Sequence, residues 1–215
     1  NENPSVLHYQ FQSREHIPSN ELKSFLIDAG ASHKGYASDI TRTYSFKQDT
    51  FAEMIELMDE KQQSLCNQAV AGQDYVDLHH KAHLNISEVL HQFGVFKCDA
   101  ETAVAQGLSS TFFPHGLGHY LGLQVHDVSG HVIDETGTVK SPPEDHPFLR
   151  LTDRLRENAV ITIEPGLYFV PMLMKEIAGH KDVNWDKVAE FQPYGGIRIE
   201  DNIVVKEGGI ENLTR

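Results

Sequence analysis

The chain has 215 residues, 40% hydrophobic and 23% charged, enough to bury one sizeable core. Its formal net charge of −13 argues against nucleic acid or an anionic membrane surface as a partner. No apolar run nears the roughly 18 residues of a membrane span and no signal peptide opens the sequence. Two cysteines, Cys66 and Cys98, are too few for a disulfide framework and point to a reducing cytoplasm.

Residues 5–12 alternate as a strand. Residues 22–31 and 36–46 read as a hairpin around Ser32-His33-Lys34-Gly35. A turn centred between 33 and 34 would set Asp28 directly opposite Asp39, with Cβ atoms ~5 Å apart. Asp49 reads as a cap and 50–71 as an amphipathic helix, with Phe51, Met54, Ile55, Met58, Leu65 and Ala69 at helical spacing. A second helix starts at Asp74 or Tyr75 and stops at Gly94, and a short third runs from Asp99 towards Gly107. Residues 111–131 are rich in Gly and His, and 132–157 read as loop. Strands are expected over 159–168 and 196–205, with an irregular insertion at 171–193 that holds Trp185. Helices and strands are segregated, so the fold class is α+β.

Two carboxylates as close as Asp28 and Asp39 repel unless a cation lies between them, and a metal pair is the usual reason to build such a site. His115 and His119 are four apart, but no Glu follows His115 and Gly116, Gly118 and Gly122 argue against a helix. Any one of these imidazoles alone reads as a surface group. His115, His119 and His126 within twelve residues point to a pocket instead. In Thr162-Ile163-Glu164-Pro165-Gly166 a carboxylate is embedded in an apolar strand, and alternation puts Arg198 and Glu200 on one face of another. Alone, Glu164 would read as an edge residue facing water, and Arg198 with Glu200 as a surface pair. Together Asp28, Asp39, His119, Glu164 and Glu200 make an oxygen-rich, hard site whose four carboxylates two divalent ions would balance.

These motifs, in this order, resemble the metallopeptidases of the pita-bread fold: aminopeptidase P, methionine aminopeptidase and prolidase. The bacterial prolidases (Xaa-Pro dipeptidases) are the nearest match. Leu7-His8-Tyr9, Asp28-Ala29-Gly30, Ser38-Asp39-Ile40-Thr41-Arg42, the segment 115–127, Glu164-Pro165-Gly166-Leu167-Tyr168 and 195–202 carry the resemblance. It implies a curved antiparallel sheet covered by helices, with 1–215 a catalytic domain truncated at its start and its N-terminal domain absent.

By that resemblance Asp28 binds one metal, Asp39 and Glu200 bridge two, and His119 and Glu164 complete the second. Glu164, His126 and His115 would serve catalysis, while His8, Arg150 and Arg198 would contact substrate. The implied cofactor is two divalent ions, manganese expected, with zinc, cobalt or iron suited to the same ligands. The implied reaction is hydrolysis of Xaa-Pro dipeptides by a hydroxide shared between the ions, in a homodimer at full length. Alternative readings are an organophosphate-hydrolysing relative, an aminopeptidase P, and a pita-bread module that binds without catalysis.

Overall fold

A computed structural model describes Pro18 and residues 21–215 of the chain. The strand expected over 5–12, with His8, lies outside the described residues. The hairpin is built from β1 (Ser24–Ala29), β2 (Ser32–His33), β3 (Tyr36–Ala37) and β4 (Ile40–Ser45). Lys34 (φ 51°) and Gly35 (φ 88°) both take left-handed backbone, as in the two-residue turn that matches strand twist. The turn is therefore centred between 34 and 35. His33 pairs with Tyr36, and Asp28 pairs with Thr41.

This corrects the expected register. Asp39 falls opposite Gly30, so Asp28 and Asp39 are diagonal neighbours on one face rather than a direct pair. Gly30 is required there because a Cβ would lie 1.9 Å from the Ser38 carbonyl oxygen.

Two helices cover the sheet. Asp49 caps α1 (Thr50–Gln68) by accepting from the Ala52 N–H, and Asp74 caps α2 (Tyr75–Gln92) through Val76 N–H. α1 stops at Gln68, short of the predicted Ala71, because the Ala69 N–H turns back to the Cys66 carbonyl. The buried face of α1 carries Phe51, Met54, Met58 and Leu65. Each such side chain stabilises the fold by roughly 1.5–3 kcal/mol. Gln62 is buried on the same face and donates to the Ile163 carbonyl, while Tyr75 at the start of α2 donates to the Thr162 carbonyl. Both helices thus hold the same stretch of strand. α3 (Ala100–Ala105) ends before Gly107 as expected, but a further turn, α4 (Leu108–Phe112), follows it.

The two predicted C-terminal strands are each broken in the middle. β5 (Val160–Ile163) pairs with β8 (Asp201–Lys206), and β6 (Gly166–Tyr168) pairs with β7 (Gly196–Arg198), all antiparallel. β9 (Gly209–Asn212), which the sequence pattern left out, extends the sheet beyond β8. Between the paired halves lie Glu164-Pro165 and Ile199-Glu200. Carrying either register through the gap sets Glu164 opposite Glu200. Pro165 has no N–H to donate there, so the ladder opens where the two carboxylates face each other.

The segment 171–193 is more regular than predicted. α5 (Pro171–Glu176) begins with proline at its first position, and α6 (Trp185–Phe191) buries Val188 and Phe191 against the core.

Candidate metal centre

Three separate pieces of backbone meet at the ladder opening. Thr41 of β4 bridges to Glu200, whose N–H donates to the Thr41 carbonyl at 3.0 Å. That bridge brings the Asp28–Asp39 face of the hairpin onto the Glu164–Glu200 gap. Residues 117–121 then run along the free side of β5, with Thr162 N–H donating to His119 O and Glu164 N–H to Leu117 O. Gly118 allows this close approach. A Cβ there would stand 2.1 Å from the Thr162 carbonyl oxygen. The next residue, His119, is thereby aimed into the gap.

The structure brings Asp28, Asp39, His119, Glu164 and Glu200 together. One potential ligand atom each from Asp28, Asp39 and Glu200 lie within 4.8 Å of one another, as do those of His119, Glu164 and Glu200, and those of Asp39, His119 and His126. Glu200 is shared by two of these triads and Asp39 by two. His119 Nδ1 donates to the Tyr120 carbonyl at 2.8 Å, which leaves the Nε2 lone pair facing the carboxylates, 3.5 Å from Glu164 and 3.7 Å from Asp39.

The electrostatics of the protein alone are unfavourable. Burial first, then Asp28, pushes Asp39 up to about 6. Burial and Asp39 push Glu200 up to about 8. Burial and Glu200 hold Glu164 well above the usual carboxylate range. Burial also keeps His119 neutral, down to about 4. Among the described residues, no hydrogen-bond partner reaches the buried Glu200 Oε1 or His119 Nε2. Clustered acids, a neutral imidazole and two unpartnered donor atoms aimed at one point fit a pair of hard dications.

Several residues that the sequence reading gave no role hold the cluster in place. Thr41 Oγ1 donates to Glu200 Oε2 at 2.7 Å. Asn202 grips the backbone of Asp39 from both sides, accepting from its N–H at 3.1 Å and donating to its carbonyl. Arg42 Nη1 donates to the Glu200 carbonyl and Nη2 pairs with the fully buried Asp201 at 2.6 Å.

Arg198, expected at the substrate, lines a cavity beside the cluster and is 4% exposed. Its Nη2 pairs with Asp28 at 2.6 Å, Nη1 donates to Tyr168 Oη at 3.0 Å, and Nε contacts Thr41 Oγ1 at 3.3 Å. The Tyr168 hydroxyl is in turn 2.9 Å from His115 Nε2.

The four carboxylates of the cluster, Asp28, Asp39, Glu164 and Glu200, line the same cavity, of about 830 Å³. His115, His126 and Arg150 line it, and Arg150 is exposed. Pro147, Phe148 and Met172 give it an apolar side. No described helix is long and apolar enough to cross a membrane.

Comparison with known proteins agrees with this geometry. Curated Xaa-Pro dipeptidases of Shewanella frigidimarina and Stenotrophomonas maltophilia are 50% and 52% identical over 100% of this chain and 49% of theirs. The chain thus spans about half the length of the curated relatives it matches. Zn-substituted Escherichia coli aminopeptidase P in complex with product matches with a TM-score of 0.70 at 31% identity, covering 99% of this chain and 42% of that one. Pseudomonas aeruginosa aminopeptidase PepP gives a TM-score of 0.73 at 26% identity over the same shares. The architecture is the pita-bread fold expected from the motifs. Residues 1–207 match the model of metallopeptidase family M24, and the chain belongs to that family.

Proposed function

We propose that this chain carries the catalytic centre of a metal-dependent Xaa-Pro dipeptidase. The observation that carries the reading is the convergence of Asp28, Asp39, His119, Glu164 and Glu200 beside a cavity that the four carboxylates line, in a chain half identical to curated Xaa-Pro dipeptidases. Asp28, Asp39, His119, Glu164 and Glu200 hold two divalent ions, manganese being the favoured pair for so oxygen-rich a set. Such a pair supplies Lewis acidity and a water whose pKa falls towards neutrality.

The remaining roles belong to the protein. Glu164, which faces Glu200 across the gap, would take a proton from the nucleophile as a carboxylate and return it to the leaving nitrogen. That nitrogen belongs to a tertiary amide and cannot leave as an anion, so proton delivery is essential. His126 lines the cavity, where an imidazole N–H would stabilise the oxygen of the attacked carbonyl, and His115, which donates Nδ1–H to the Gly116 carbonyl and accepts from Tyr168, would position the Tyr168 hydroxyl beside it. Arg150 is the better anchor for a dipeptide carboxylate, because Arg198 is already committed to Asp28 and Tyr168. Arg198 instead fixes Asp28.

The two free cysteines suit a reducing cytoplasm, and the family resemblance supports a homodimer at full length.

The test is metal analysis joined to turnover. The manganese-loaded protein is expected to cleave a Xaa-Pro dipeptide faster than a tripeptide with proline second or a phosphotriester. Preference for the tripeptide would assign it to aminopeptidase P chemistry, and preference for the phosphotriester to organophosphate hydrolysis. Asp39→Asn is expected to abolish metal loading and turnover together. Full loading and near-normal turnover in that variant would remove Asp39 from the centre.

A further inference from the structure

A second group of ligating side chains stands apart from the carboxylate centre. His79 and His83 are one turn apart on α2, each 1% exposed, and His146 meets them from the loop between His119 and β5. One ring nitrogen from each of the three lies within 4.8 Å of the others. We propose that His79, His83 and His146 form a separate three-imidazole site for a transition-metal dication of the zinc class.

The geometry suits such an ion. The Nε2 atoms of His79 and His83 are 3.2 Å apart. Zinc–nitrogen bonds of about 2.0–2.1 Å in a tetrahedron place ligand atoms roughly 3.3 Å from each other. His83 Nδ1 is 2.9 Å from the buried Ser109 hydroxyl, the kind of outer contact that fixes a ligating ring and leaves its other nitrogen for the metal. His79 Nδ1 is buried with no hydrogen-bond partner among the described residues, and the ring's Nε2 faces that of His83.

The rings of His79 and His83 lie 4.5 and 4.4 Å from that of His146, close enough to converge on one point. Burial keeps both helix imidazoles uncharged, so their lone pairs are available at neutral pH. Asp145 Oδ2, 3.6 Å from His146 Nε2 and exposed, gives the open side of the site a negative charge.

Nitrogen donors separate this site from the other one. Imidazoles favour zinc, copper or nickel, whereas the oxygen-rich cluster favours manganese. A dication on His146 would also tie α2 to the loop whose next residues, Pro147, Phe148 and Arg150, line the cavity.

The test uses the chain carrying Asp39→Asn and Glu200→Gln, which disables the carboxylate centre. Metal-free protein is mixed with Zn²⁺, gel-filtered and assayed for retained metal, and the bound zinc is read by X-ray absorption. One equivalent of zinc with a shell of histidine rings is expected, unaffected by excess Mn²⁺. Adding His146→Ala should lower zinc affinity by about tenfold or more. Absence of retained zinc, an oxygen-dominated shell, or affinity unchanged by His146→Ala would each overturn the proposal. Should His146→Ala fail to fold by circular dichroism, the absorption spectrum of the parent decides alone.

Discussion

Glu200→Gln in metal-free protein tests whether the centre is built around absent positive charge. Glu200 is 1% exposed, and burial with Asp39 beside it moves its carboxyl from 4.5 up to about 8. The folded-state value is raised, so the group contributes its full stability below 4.5 and loses it as pH rises towards 8. By the linkage relation, a shift of this size weakens the fold by less than about 1 kcal/mol at pH 5 and by roughly 4 kcal/mol at pH 7.5.

Gln keeps the shape, can still accept from Thr41, and carries no charge. The metal-free variant should therefore gain on the parent by roughly 3 kcal/mol between those two pH values. In a chain of this size that is about 6–12 °C of melting temperature. Taking the difference between the two proteins cancels the opposite slope of His83 and His119, whose lowered values cost stability as pH falls below 6.5. Because Asp39, Glu164 and Glu200 titrate together, the difference reads the cluster rather than one residue. The assay is thermal or urea unfolding in chelator at both pH values, repeated with Mn²⁺. Manganese should reverse the order and make the parent the more stable. A difference that does not change with pH, or a variant less stable than the parent at pH 7.5 in chelator, would refute the reasoning.

Other consequences are equally open to measurement. Asn202→Ala removes both hydrogen bonds to the Asp39 backbone and should cost about 1–3 kcal/mol in urea unfolding, with metal affinity falling about 10- to 100-fold. Unchanged affinity would mean that Asp39 needs no such support. Gly118→Ala places a Cβ 2.1 Å from the Thr162 carbonyl and 2.6 Å from the Tyr75 hydroxyl, and should destabilise by about 3 kcal/mol or more in a melting experiment. Arg150→Lys keeps the charge but loses the planar fork. Its KM for a Xaa-Pro dipeptide should rise about tenfold, a loss of about 1.4 kcal/mol, at constant metal content. An unmoved KM would take Arg150 away from the substrate.

The features legible in the sequence are those set by local chemistry. Asp49, Asp74 and Asp99 each announce a helix start because an aspartate oxygen can reach an N–H two or three residues on. The hairpin is legible as well, yet its turn centre lies one residue further on, which moves every cross-strand partner by two. Composition locates a turn without saying which two residues go left-handed, and here Lys34 does so with Gly35. α5 and α6 escaped notice because six or seven residues give too few turns for a period to show. In the centre, the carboxylates and His119 were readable by residue type and by family motif. Thr41, Asn202 and Arg42 were not, since each acts across about 160 residues of chain through a register that no local pattern encodes.

That distinction bears on how the centre is made. Glu164 and Glu200 each stand at a break in an otherwise apolar strand, facing one another where Pro165 interrupts the ladder. An open rung would ordinarily expose carbonyls to a dry core. Gln62 from α1 and Tyr75 from α2 instead donate to the Ile163 and Thr162 carbonyls, and residues 117–121 occupy the other side of β5. The Thr162 and Ile163 carbonyls and the Glu164 and Glu200 N–H groups are therefore satisfied before any ion arrives. Among the described side chains at the gap, Glu200 Oε1 and His119 Nε2 stay unpartnered, and the acids repel one another. On the proposed reading the fold would therefore form around an empty centre at low pH, where the acids take up protons, and a dication bound at neutral pH would replace those protons rather than create the site.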